Sequence, residues 1–211
     1  MLLALLLAQV THQVSVGPNF LSTFNPKHLV IQVGDSVQWN WVSGTHNVSS
    51  QDGYFSSGAP VAPPNTFTLT FDQAFLDASP ISGNRYEYQC DLHFFAGMTG
   101  SVTVQTPGRP VLTITDPTPG AQTTITVDGA TPNGNVVVAY STNGAGPTNT
   151  PFGVALLTPP IKRLPPVQAD ALGSARMTLN VPAGTPPGLT IWTQALDAGA
   201  ALFTNGARVI V

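Results

Sequence analysis

Charge is scarce in this chain. Only 8 % of its 211 residues are Asp, Glu, Lys or Arg, and the formal net charge is −3. Its seven Lys and Arg are scattered over the whole length, so they cannot form the basic stripe that nucleic-acid binding needs. Disorder requires low hydrophobicity and high net charge, and the hydrophobic fraction here is 42 %. Cysteine is almost absent. A single residue, Cys90, rules out any intrachain disulfide. No apolar run reaches the roughly 20 residues of a membrane-spanning helix. Residues 1–8, Met1 to Ala8, fit the shorter apolar core of a secretory signal, with cleavage expected after Ala8. No basic residue precedes that run, so the expectation includes a start upstream of Met1. Export to the periplasm or the extracellular space follows.

What the chain has in quantity is turn formers, 20 Gly and 20 Pro. They follow no triplet period, which excludes collagen. Short apolar segments lie between them. Val37, Trp39 and Trp41 alternate with Gln38 and Asn40, the period of a half-buried strand. Phe67, Leu69 and Phe71 alternate with Thr68 and Thr70, and Tyr86, Tyr88 and Cys90 share one face. Further strands are expected at Gln13 to Val16, Leu29 to Val33 and Val102 to Val104. Gly34-Asp35 reads as a hairpin-like turn, and residues 72–84 as a loop with a helical turn near Ala74 to Asp77. The expected fold class is all-β.

Composition shifts at Thr106-Pro107-Gly108-Arg109-Pro110, where two prolines and a glycine resist continuation of a sheet. The expected organisation is a first domain at 9–106, a linker at 107–110 and a second domain at 111–211. Residues 111–211 contain no His and no Cys. Seven short strand candidates between Val111 and Val211 point to a second β-sandwich, of accessory role. Residues 9–106 carry a net −4 and residues 107–211 a net +1, so the acidic surface belongs to the first half.

The chemistry is concentrated in Cys90-Asp91-Leu92-His93-Phe94-Phe95-Ala96-Gly97-Met98, with His46 far upstream in Gly44-Thr45-His46-Asn47-Val48. Two imidazoles, one thiolate and one thioether are the donor set of a mononuclear electron-transfer copper site. A Cys at a strand end and a His three residues on can turn to a common point, and Met98 can return from the far side of the loop. Taken singly, each residue has a plainer reading. A lone Cys is usually a small buried hydrophobe, a loop His a surface residue and a Met core filling. Taken together, the only Cys, two of the four His and the only non-initiator Met of the first half fall in one donor pattern. His12 and His28 have no matching context and are expected to be solvated.

At these residues the chain resembles the cupredoxins, the plastocyanin, pseudoazurin and halocyanin group. The likeness spans about residues 10–106. It rests on Val33-Gly34-Asp35-Ser36-Val37-Gln38-Trp39, His46-Asn47-Val48, Tyr86-Glu87-Tyr88-Gln89-Cys90 and Gly97-Met98-Thr99-Gly100-Ser101-Val102-Thr103-Val104. The resemblance implies a Greek-key β-sandwich with one copper ion held by His46, Cys90, His93 and Met98. It implies that the backbone amide of Asn47 hydrogen-bonds the cysteine sulfur and tunes the site. It implies that His93 reaches the surface through an apolar patch, here Leu92, Phe94 and Phe95. The function implied is a blue, type 1 copper protein that carries single electrons between redox proteins, such as a cytochrome or a copper oxidoreductase. A basic partner would suit the acidic first half.

Other classes fit less well. Copper oxidases and nitrite reductases place a His beside the cysteine to relay electrons, and the neighbours here are Gln89 and Asp91. A binuclear electron-transfer site needs two Cys. Storage proteins use repeated Met or His, and no such repeat occurs. Zinc would also accept thiolate and imidazole. The remaining alternative is a secreted copper-binding or surface structural protein without a redox partner.

Overall fold

The computed structural model describes residues 9–211. The expected signal segment, residues 1–8, lies outside the described residues. The chain divides into two compact units. The first runs to Phe75 and resumes at Arg85–Gln105, and the second joins Leu76–Asn84 to Thr106–Val211.

The first unit contains two four-stranded sheets. Strands β1 (Thr11–Val16), β2 (Phe24–Asn25), β4 (Ser36–Trp41) and β6 (Thr66–Thr70) form one, in the order β2-β1-β4-β6. Strands β3 (His28–Gln32), β5 (Ser49–Ser50), β7 (Arg85–Gln89) and β8 (Thr99–Gln105) form the other, in the order β3-β8-β7-β5. β1 runs parallel to β4, and β3 parallel to β8. The alternation in β4 works as the sequence predicts: Val37, Trp39 and Trp41 are buried, while Gln38 and Asn40 are half-buried. Between the sheets, Tyr88 meets Trp39 edge-on at 5.4 Å and Phe24 at 4.9 Å between ring centroids. Such contacts add stability beyond the area they bury.

Gly34-Asp35 does form a turn, with the Asp35 amide donating to the Gln32 carbonyl at 3.0 Å. It does not close a hairpin, because β3 and β4 belong to different sheets. The Asp35 carboxylate explains the corner. It accepts the Gln32 amide at 3.0 Å, the Val10 amide at 2.9 Å and His12 Nε2 at 2.9 Å, which draws the turn toward β1.

The helical turn expected near Ala74 to Asp77 is helix α1 (Gln73–Ala78). Asp72 starts it by accepting the Phe75 amide at 2.8 Å. From Leu76 to Asn84 the chain packs as part of the second unit. Ser82 Oγ accepts the Ile114 amide at 2.9 Å and faces the Ile114 carbonyl at 3.2 Å, and Asn205 Nδ2 donates to the Ile81 carbonyl at 3.0 Å.

The second unit is also a sandwich. Its smaller sheet orders β16-β10-β9, from β9 (Val111–Ile114), β10 (Gln122–Asp128) and β16 (Ala175–Asn180). The larger is built on β11 (Asn135–Ser141) and β17 (Thr190–Asp197), joined by β14 (Lys162–Arg163), β15 (Val167–Gln168), β18 (Leu202–Phe203) and β19 (Ala207–Ile210). A separate hairpin pairs β12 (Thr148–Thr150) with β13 (Gly153–Ala155). One core joins the two sheets, with Leu112, Ile125 and Val127 from the first against Val136, Val138 and Val209 from the second. Among the described residues, no helix is long and apolar enough to cross a membrane.

Candidate metal centre

Strand β7 delivers Cys90 to the end of its sheet, where pairing with β8 stops at Gln89 and Thr99. The segment between is a closed loop. The Cys90 amide donates to the Met98 carbonyl at 3.1 Å, and the Met98 amide donates to the His93 carbonyl at 3.2 Å. The His93 amide donates to the Cys90 carbonyl at 3.1 Å. A 3₁₀ turn at Phe94–Ala96 ends on Gly97 at φ 82°, a left-handed conformation that glycine adopts without strain. This reversal returns Met98 to the site, where it is fully buried.

His46 comes from the opposite side. Its backbone pairs with Val61 in an isolated bridge, at 3.0 and 2.9 Å. The Trp41 indole N–H donates to the His46 carbonyl at 2.8 Å. Gly17 and Gly44 wall the outer edge of the ring: a Cβ would lie 2.8 Å from Nε2 at Gly17 and 2.6 Å at Gly44. The Ser43 carbonyl hydrogen-bonds this imidazole, so the inward nitrogen is free to bind metal.

The three inward donors form a tight triangle. His46 Nδ1 is 3.1 Å from His93 Nδ1 and 3.8 Å from Cys90 Sγ, and Cys90 Sγ is 3.5 Å from His93 Nδ1. The point equidistant from these atoms lies about 2 Å from each, the length of a metal–imidazole bond and slightly below that of a metal–thiolate bond. The donors therefore fit one first-row ion, which His46, Cys90 and His93 would hold, with Met98 of the same loop as a weak fourth donor. This is a type 1 copper site, formed by His46, Cys90, His93 and Met98.

The electrostatics favour metal over protons. Burial lowers the basicity of His46, and the neighbouring His93 lowers it further, against a smaller opposing effect of the Ser43 carbonyl. A neutral imidazole is the form that ligates.

Asn47 is fully buried and acts through its side chain. Its amide group donates to Asp91 Oδ2 at 2.6 Å and to the Gly58 carbonyl at 2.9 Å, and its Oδ1 accepts the Asp91 amide at 2.8 Å. Phe95 is 99 % exposed, Leu92 59 % and Phe94 38 %, so the aromatic pair lies outside the core. His93 beside them is only partly buried.

Of the two remaining histidines, His28 is exposed as expected and His12 is not. His12 is half-buried on Asp35, and exposed His28 places Nδ1 2.9 Å from Ser101 Oγ. Sequence reasoning missed Ser43, Gly17 and Gly44. Only the Gly44-Thr45-His46 adjacency hinted at a tight wall.

Residues 10–105 match the family described as copper binding proteins, plastocyanin/azurin family. Solved structures similar to the chain include a reduced Cu(I) form of an amicyanin mutant. It is 24 % identical, with 45 % of this chain and 82 % of that one covered at a TM-score of 0.35. A purple cupredoxin from Nitrosopumilus maritimus is 25 % identical over 44 % of this chain and 99 % of that one, TM-score 0.35. Oxidised plastocyanin from Dryopteris crassirhizoma is 19 % identical over 44 % and 99 %, TM-score 0.35.

Proposed function

We propose that this chain, whose residues 10–105 form a cupredoxin domain of the plastocyanin/azurin family, carries single electrons between redox partners. The observation that carries this reading is the combination of a three-donor site with a partly buried His93 flanked by exposed Leu92, Phe94 and Phe95.

Copper, when bound, supplies the Cu(II)/Cu(I) couple. The protein's own residues do the rest. The closed loop from Cys90 to Met98 and the bridge at His46 hold the donors from two sides, so little has to move when the charge changes. A thiolate and two imidazoles suit both oxidation states, and a thioether favours the reduced one. A backbone N–H of Asn47 donated to the Cys90 sulfur would raise the potential by drawing charge from the thiolate. Electrons leave through His93. The apolar side chains around it allow brief, close docking without strong ion pairs. The acidic first half steers a basic partner such as a cytochrome or a copper oxidoreductase, and the rate falls as salt screens the attraction. Gln89 and Asp91 beside Cys90 favour a carrier over a multicopper enzyme. Export to the periplasm or cell exterior fits the apolar start of the chain.

The test is the copper-loaded full chain. One copper per chain, an intense visible thiolate band and a type 1 paramagnetic resonance spectrum are expected. In a Phe94→Asp, Phe95→Asp double variant, self-exchange and cytochrome reduction should both slow while the spectrum is unchanged. Unaltered rates with an unaltered spectrum would remove His93 as the exit.

A further inference from the structure

The second sandwich is closed at one end and open at the other. At the closed end its inward positions are filled: Val127, Val136, Ala175 and Ala195 are at most 2 % exposed. Further along the same strands, the inward positions Tyr140, Leu179 and Ile191 are only half-buried. A sandwich core normally buries both inner faces. Here the sheets part around a cavity of about 410 Å³ that lies wholly within the second unit.

Its walls are mainly apolar, including Ile125, Leu164, Leu179, Ile191 and Val209. Its size falls within the range of small-molecule sites, about 300–1,000 Å³. Among the described side chains that line it there is one cation, Lys162, and no carboxylate. Lys162 stands directly opposite Tyr140 across β14 and β11, with Nζ 5.9 Å from the ring centroid. Lys162 is itself exposed, so its charge lies on the solvent side of the lining.

We propose that this cleft binds a single-chain fatty carboxylate, with the hydrocarbon chain between the sheets and the carboxylate on Lys162. The apolar depth selects a chain over a sugar or a nucleotide. The one charged side chain of the lining, Lys162, selects an anionic head over a cationic one.

Calorimetric titration of the full chain with octanoate, decanoate and dodecanoate tests this. Affinity should rise by about fourfold for each added methylene that is buried. Dodecyltrimethylammonium, of the same chain length, should bind more weakly. Lys162→Gln should weaken dodecanoate about three- to fivefold, as expected for a partly exposed ion pair, and leave dodecanol unaffected. Methyl resonances of Leu179, Ile191 and Val209 should shift on titration. They locate the ligand without any variant that risks the fold. No saturable binding, no dependence on chain length, or shifts confined to other methyls would overturn the site. Equal affinity for the carboxylate and the ammonium, or no effect of Lys162→Gln, would overturn the choice of head group.

Discussion

Asn47 and Asp91 grip each other at two points, side chain to side chain at 2.6 Å and side chain to backbone at 2.8 Å. Asn47 directly follows His46, and Asp91 directly follows Cys90. The clasp therefore fixes the separation of two ligands that are 44 residues apart in the chain. Asn47→Leu should cost about 1–2 kcal/mol, because the Asp91 amide, the Asp91 carboxylate and the Gly58 carbonyl all lose their partner. Chemical denaturation of the metal-free protein would measure the loss. Copper release to a chelator should also accelerate, and a release rate equal to wild type would deny the clasp any part in the site.

Met98 is held by its backbone to both Cys90 and His93, so its side chain can change without opening the loop. Met98→Leu should raise the reduction potential, because Cu(II) loses a donor that Cu(I) needs less. Met98→Gln should lower it, because a harder oxygen favours Cu(II). Voltammetry of both variants checks the sign, and shifts in the same direction would contradict Met98 as the weak fourth donor.

Gly100 faces Tyr88 across β8 and β7. A Cβ there would fall on the phenol ring, 2.5 Å from its hydroxyl oxygen. Tyr88 is fully buried, and its hydroxyl, pushed up to about 12 by burial, stays neutral at any physiological pH. The ring has no room to retreat, with Trp39 and Phe24 packed on it. Gly100→Ala should destabilise the first unit by about 1–3 kcal/mol, as overpacking does. Thermal unfolding followed at the copper band would report it.

Asp35 makes the first unit sensitive to acid. Burial alone would raise its carboxyl, but hydrogen bonds from His12, Val10 and Gln32 reverse this and hold it below its ordinary value. A carboxyl lowered on folding stabilises the native state above the unfolded value, near 3.8. That stability is lost as pH falls through the native value. Asp35→Asn should lower stability at neutral pH by about 2 kcal/mol and flatten the acid limb of the stability curve below pH about 4. A variant as acid-sensitive as wild type would place the titration elsewhere.

Much of the site can be read from the chain. Cys90, His93 and Met98 are rare donor types within one loop, and their chemistry narrows the choice before any fold is known. The strands around them are equally legible, because alternation such as Val37, Trp39 and Trp41 records which face is buried. Alternation does not record the neighbour. It left open that β3 and β4 part into different sheets at Asp35, that His12 closes on that carboxylate, and that Ser43 and two glycines seat the ring of His46. It also left open that Ile81 and Ser82 pack with Asn205 and Ile114, which are 124 and 32 residues away. Donor identity and strand face are properties of residues and their near neighbours, so they are written locally. The approach of His46 to within 3.1 Å of His93 is a property of two sheets packed on one core. It exists only once the entropy of closing those long loops has been offset by burial of the side chains between them.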